Sequence, residues 1–214
     1  MKKSILVLLF FIASFPFLPL SAANLQNTRL NEFFQRTQSF QADFDQTVRN
    51  SRGKILEQSH GNLILSRPDK FILDYQIPVE QQYISNGKTL WIYDVELEQV
   101  NIKPLDESLG DSPALLLSSN NNLYKFYRIK NITMNKPDGL NWIELKAMSE
   151  DMTFDRVQLA FKDHILMSMR MYDNFGQVTD LKFSNIIVNK PFSSHQFNFV
   201  PPADVDVIGT ANAQ

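Results

Sequence analysis

Alternation of apolar and polar positions dominates the chain after its first forty residues. In "FQADFDQTV", Phe40, Ala42, Phe44, Gln46 and Val48 share one side of an extended segment, and Gln41, Asp43, Asp45 and Thr47 share the other. That period of two is the mark of a half-buried strand. It recurs around Ile55 to Leu65, in "KFILDYQ", "QQYIS", "TLWIYD", "EQVNIK", "KFYRIKNITM", "LNWIELKAM", "DRVQLAFK", "ILMSMRMY" and "QVTDLKFSNIIV". Turn residues separate these runs: "SRGK", Asn86-Gly87, "KPDG" and "DNFG". Asn-Gly between two alternating runs is the strongest short-range hairpin signal. Roughly ten strands with such spacing predict a large antiparallel sheet, a sandwich or a barrel. The chain closes on "FNFVPPADVDVI", followed by a small polar tail, 209–214, of a kind that frays.

Two stretches break the pattern. "NLQNTRLNEFFQRTQ" carries Leu25, Leu30, Phe33, Phe34 and Thr37 near one side of a helix. Between Pro104 and Tyr124 the alternation lapses, and "DSPALLLSS" offers Ser112 as N-cap with Pro113 at the first helical position. A single sheet of this size must curl. With helices over its concave side it becomes a cup with a lid, which is also how a cavity for an apolar ligand is built.

The opening "MKKSILVLLFFIASFPFLPLSAA" has a basic start, an apolar middle and small residues at its end. Those are the parts of a secretory signal peptide, with cleavage expected after Ala23. One domain over 24–208 is expected to follow, without a membrane-spanning segment. Removal of Lys2 and Lys3 leaves 19 basic against 23 acidic side chains, a net charge of −4. So mild an acidity argues against nucleic acid, whose binding needs a basic stripe. The absence of cysteine excludes disulfides, thiolate catalysis and thiolate metal sites. It also excludes the acylated cysteine by which a bacterial lipoprotein is anchored, so a soluble exported protein is expected.

Little in the sequence points to catalysis. His60, His164 and His195 stand far apart, and no GxSxG, P-loop or GxGxxG occurs. Asp43 and Asp45 share a strand face opposite the apolar one, where solvated carboxylates are the simpler reading. Neither a metal nor another cofactor is expected. The apolar rows say more. Met167, Met169 and Met171 alternate with Ser168, Arg170 and Tyr172. Val157, Leu159 and Phe161 align, as do Leu181 with Phe183 and Phe71 with Leu73 and Tyr75. The core of a β domain accounts for these rows. So does a lining that re-packs around variable guests, for which flexible thioethers are suited. Arg67, before Pro68, reads on periodicity alone as a solvated turn residue.

Taken in order, "SFQADFDQTV", "GNLILSRPDKFILDY", "ISNGKTLWIYD", "DSPALLLSSN" and "FNFVPP" resemble the periplasmic outer-membrane lipoprotein carrier, the LolA family, over nearly the whole mature chain. The resemblance implies a mainly β fold with an α-helical lid. That fold is an incomplete, strongly curved antiparallel barrel of about eleven strands enclosing a hydrophobic cavity. It implies a non-enzymatic periplasmic chaperone that binds the acyl chains of lipoproteins. Its implied partners are an inner-membrane lipoprotein-releasing ABC transporter complex and an outer-membrane lipoprotein receptor (LolB-like), with the carrier itself a monomer. Arg67 would be the latch, bonding backbone carbonyls of a lid that includes Pro113, Leu116 and Leu117. Phe71 belongs to the cavity entrance. Phe44, Leu73, Tyr75, Trp91, Met167, Met169, Met171 and Phe183 complete the expected acyl-chain lining. Leu73 departs from better-known members, which carry tryptophan there, so the cavity wall is shaped differently. Two other functions fit a lidded cup. One is a lipid-binding or sensing module of the same fold that shuttles nothing, and the other is a hydrolase of lipid-like substrates.

Overall fold

A computed structural model describes residues 28–105, 112–119, 123–132 and 138–210. The signal peptide, Leu25 and the last four residues of the tail lie outside the described residues. The chain begins with helix α1 (Thr28–Arg36), whose buried Leu30, Phe33 and Phe34 form the apolar stripe expected at helical spacing. Six strands follow: β1 (Ser39–Arg49), β2 (Ile55–Ser66), β3 (Lys70–Ile77), β4 (Gln81–Asn86), β5 (Thr89–Asp94) and β6 (Gln99–Pro104). Short helices α2 (Pro113–Ser118) and α3 (Leu123–Phe126) interrupt them. Next come β7 (Tyr127–Ile132), β8 (Asn141–Ala147), β9 (Phe154–Lys162), β10 (Ile165–Asp173) and β11 (Val178–Val188). A 3-10 turn at Ser194–Phe197 and a short strand β12 (Asp206–Gly209) end the fold.

Side chains close the turns. Asn86 Oδ1 accepts from the backbone N–H groups of Lys88 and Thr89, while Gly87 adopts a φ of 94°. Asp173 Oδ1 does the same for Phe175 and Gln177 at the β10–β11 turn.

All strands belong to one 12-stranded sheet, in the order β12-β6-β5-β4-β3-β2-β1-β11-β10-β9-β8-β7. β1 lies near its middle because β11 returns to pair with it, Phe44 facing Phe183 and Phe40 facing Val188. Eleven strands pair antiparallel. The expected all-antiparallel sheet needs one correction: β12 pairs parallel to β6, Val207 beside Val100. β12 and β7, at opposite edges, are not paired, so the barrel stays open.

The sheet curls strongly. At the ordinary spacing of about 4.8 Å a flat sheet of twelve strands would be some 50 Å wide. Yet Phe33 of α1 lies 4.9 Å from the Arg67 guanidinium, after β2, and its ring centroid lies 5.5 Å from that of Phe161 on β9. Three strands separate β2 from β9. Bulges at Gln41/Asp43, His60/Gly61 and Leu166/Ser168 bend the strands that must turn most. The concave side carries one continuous apolar cluster drawn from α1, α2 and the inward residues of β1 to β3 and β7 to β11.

The strand order also explains the lid. β6 lies beside one edge and β7 forms the other, so the chain between Pro104 and Tyr127 must travel from one side of the cup to the other. Helices formed there lie across the concave face. The convex face of β7 to β11 is polar: Glu144 accepts hydrogen bonds from Gln158 Nε2 (2.9 Å) and Lys130 Nζ (3.0 Å). Burial pushes its carboxyl up, but these bonds and the neighbouring charges of Lys130 and Arg156 outweigh that and hold it below the usual range.

Candidate functional site

The floor of the cup is aromatic and aliphatic. Phe44 on β1 meets Tyr75 on β3 edge-to-face at 5.1 Å, and Tyr75 meets Tyr83 on β4 at 6.2 Å. Phe71 and Leu73 are fully buried beside them. Phe183 packs on Phe40 at 5.5 Å, and Met169 and Met171 complete the lining on β10. The Tyr75 hydroxyl bonds Gln46 Oε1 at 3.0 Å, and burial raises its pKa so that it stays protonated. Gly61 makes the central contact possible. It sits opposite Phe44 in the β1–β2 register and opposite Tyr75 in the β2–β3 register.

Two expected lining residues lie elsewhere. Trp91 pairs with Ile84, on the face opposite Leu90 and Ser85, and its ring lies 6.3 Å from Phe199. The C-terminal segment covers that part of the convex face, so β5 is apolar on both sides and periodicity alone does not select one. Met167 occupies the bulge between Leu166 and Ser168. The extra residue shifts the register, and fully buried Leu166 takes the inward position opposite Phe161. Leu63, Leu65, Ile143 and Leu145, absent from the expected lining, are buried in the same cluster. Alternation in β2 and β8 signals them; nothing in it separates lining from ordinary core.

Above the lining sits α2. Ser112 caps it, accepting from Ala114 N at 3.3 Å, and Pro113 supplies the preset φ of the first turn. Ala114 to Ser118 are all buried, with Leu116 and Leu117 among them, and the helix packs on β2 and β3. A six-residue helix has little stability of its own. What holds it is this packing, together with contacts at its end. Asp69 N–H donates to Ser118 O at 3.1 Å, and Arg67 Nη1 donates to Ser119 O at 3.1 Å.

Arg67 also reaches the other helix. Its Nε donates to Thr37 O, just past α1, at 2.8 Å, and its backbone N–H donates to Gln38 O at 2.8 Å. The guanidinium stacks 4.9 Å from Phe33 and 4.4 Å from Phe34. One side chain thus ties the exits of α1 and α2 to the turn between β2 and β3. The tie is not saturated, because buried Nη2 has no partner among the described residues. Burial pushes the guanidinium down to about 10, against the opposing charge of Asp69, so it remains charged at neutral pH. Asp69 is itself pushed up by partial burial, countered by Arg67.

Catalytic groups are sparse among the described residues. No three His, Cys, Asp or Glu side chains come together as a metal site. Glu144, the one buried carboxylate among them, lies on the convex face in the network described above. His60 meets Asp45 at 3.1 Å, both well exposed. Among the described residues no helix is long and apolar enough to cross a membrane.

A curled open sheet with a continuous apolar lining, covered by short helices held by one arginine, defines the class of lidded β-cups built around an apolar interior. Comparison with known proteins narrows the class. The family model described as "Outer membrane lipoprotein carrier protein LolA" matches residues 35–200, and the chain belongs to that family. A curated outer-membrane lipoprotein carrier protein of Dechloromonas aromatica is 34% identical over 209 residues, covering 98% of this chain and all of the relative. One from Methylobacillus flagellatus is 36% identical over 180 residues, covering 84% of this chain and 87% of the relative. Among solved structures, an uncharacterized conserved protein of Thermus thermophilus shares the fold with a TM-score of 0.56 at 14% identity, covering 85% of this chain and 96% of the other.

Proposed function

We propose that the protein is a periplasmic, non-enzymatic carrier that shelters the acyl chains of lipoproteins in its concave face and delivers them to the outer membrane. Residues 1–23 direct export and are removed, and the domain over 24–208 works as a monomer. Cargo is received from an inner-membrane ABC-type releasing complex and passed to an outer-membrane receptor lipoprotein.

The observation that carries this reading is the geometry of Arg67, which holds two helix exits over an apolar lining with bonds to backbone carbonyls alone. The physics of the task fits it. Each methylene exposed to water costs about 0.8 kcal/mol, so one acyl chain of ordinary length costs on the order of 10 kcal/mol. A carrier must cover that surface yet give it up without chemical energy of its own. Hydrogen bonds from a charged donor contribute only ~1.5–3 kcal/mol each. Such a lid stays closed over an empty lining and yields to a strongly apolar guest. In this reading Phe44, Phe71, Leu73, Tyr75, Met169, Met171 and Phe183 contact the chains, and Leu116 and Leu117 move with the lid.

Depletion in the native bacterium separates a shuttle from a module that only binds lipid. The expected result is retention of outer-membrane lipoproteins at the inner membrane, read by fractionation and blotting. Normal sorting after depletion would leave only the binding-module reading.

A further inference from the structure

Tyr127 opens β7 with its side chain on the concave side, in the same apolar cluster as Leu145 and Val157. It pairs with Ala147 beside the β8–β9 turn, at the end of the sheet opposite Arg67. Only 3% of the residue is exposed, and its hydroxyl, shielded from solvent, has no hydrogen-bond partner among the described residues. Burial pushes that hydroxyl up to about 12, so it is a neutral donor at every physiological pH. Leaving a buried hydroxyl unpaired costs about 1–3 kcal/mol. Phenylalanine would fill the same space without that cost, and none of the described residues makes use of the oxygen.

The carrier reading supplies a use. Every acyl chain is joined to its parent atom through a carbonyl, which must enter the apolar interior with the chain and loses its water there. Aliphatic and phenylalanine side chains offer it no donor, and the Tyr75 hydroxyl on the floor is already given to Gln46 Oε1. We propose that the Tyr127 hydroxyl donates a hydrogen bond to an acyl carbonyl oxygen of the bound lipoprotein, setting how deep the chains sit and favouring acyl groups over plain hydrocarbon. This inference rests on the carrier reading. Stability is conceded in the empty protein and recovered when cargo arrives.

The test uses the purified mature protein, its Tyr127→Phe variant and a synthetic lipopeptide bearing ester- and amide-linked acyl chains. Two analogues go with it, one with ether linkages replacing the esters, the other with an N-alkyl chain replacing the amide. The wild type is expected to bind the parent about three- to tenfold more tightly than one of the analogues, the worth of one hydrogen bond. Tyr127→Phe is expected to erase that preference. It should melt at the same temperature as the wild type or higher, because an unpaired buried group is gone. A 13C-labelled carbonyl should show a lowered infrared stretch in the wild-type complex, lost in the variant. An unchanged preference in Tyr127→Phe, or a lower melting temperature, would overturn the inference while leaving the carrier reading intact. Failure of the wild type to bind any of the lipopeptides would overturn both.

Discussion

An Arg67→Leu variant is expected to take up lipoprotein normally and to release it at least tenfold more slowly than the wild type. The substitution removes the bonds from Nε to Thr37 O and from Nη1 to Ser119 O, together with the stack on Phe33 and Phe34. Leucine restores part of the apolar contact and removes Nη2, which no described residue pairs, so the net loss is smaller than the sum of the bonds. A net weakening of the closed state by about 2 kcal/mol raises the open population about 30-fold when that population is small. Cargo is held by the open form and the latch re-forms as the chains leave, so losing the latch raises the apparent affinity by the same factor and slows release rather than uptake. The measurement is transfer of a fluorescent lipopeptide from the preloaded carrier to an acceptor. Transfer at the wild-type rate would sink the latch. Arg67→Lys should be intermediate, since a single ammonium cannot replace a planar fork that serves two separate carbonyls.

The largest effect on stability is expected at Gly61. A β-carbon there would overlap Asp74 O and lie 2.8 Å from Phe44 Cζ. The first of these is backbone in a paired strand, which cannot swing aside as a side-chain tip can. Relief requires breaking the bulge at His60/Gly61 or pushing β3 away from β2, and with it the Phe44–Tyr75 contact. Gly61→Ala should therefore cost about 3 kcal/mol or more, near the upper range for overpacking. For a domain of this size that lowers the melting temperature by about 10 °C. A thermal melt within a degree or two of wild type would show that β2 and β3 are not packed as described. Gly53, by contrast, has nothing near its β-carbon position, and steric overlap plays no part there.

Most of the strands were legible because one face of each is dry, and the pattern survives in β1, β3 and β11, whereas β9 is buried on both faces from Val157 to Phe161. The failures have local causes. Met167 was misplaced because a bulge adds one residue to β10 and reverses the alternation after it. Trp91 was misplaced because Phe199, far along the chain, makes the outer face of β5 apolar as well. β12 is four residues long and pairs parallel with a strand more than a hundred residues earlier, a match that no periodicity announces. Arg67 is the sharpest case. Its partners Thr37 and Ser119 lie 30 and 52 residues away, so alternation alone left it a turn residue. Family resemblance, not the residue's own neighbourhood, singled it out. Tyr127 drew no notice at all, since an unpaired hydroxyl is a property of the assembled interior.

Acyl chains are expected to lie against the concave lining, and the two native tryptophans allow a direct test. Trp91 faces Phe199, and Trp142, paired with Ala160, donates from Nε1 to Asp138; both are on the convex face and neither belongs to the apolar cluster. A Leu73→Trp variant places an indole in the lining itself, at a position buried between Phe71 and Tyr75. Binding of a lipopeptide with brominated acyl chains should quench the added tryptophan strongly and the wild-type emission only weakly. Equal quenching of both proteins, or none in Leu73→Trp despite saturating cargo, would place the chains somewhere other than the cup.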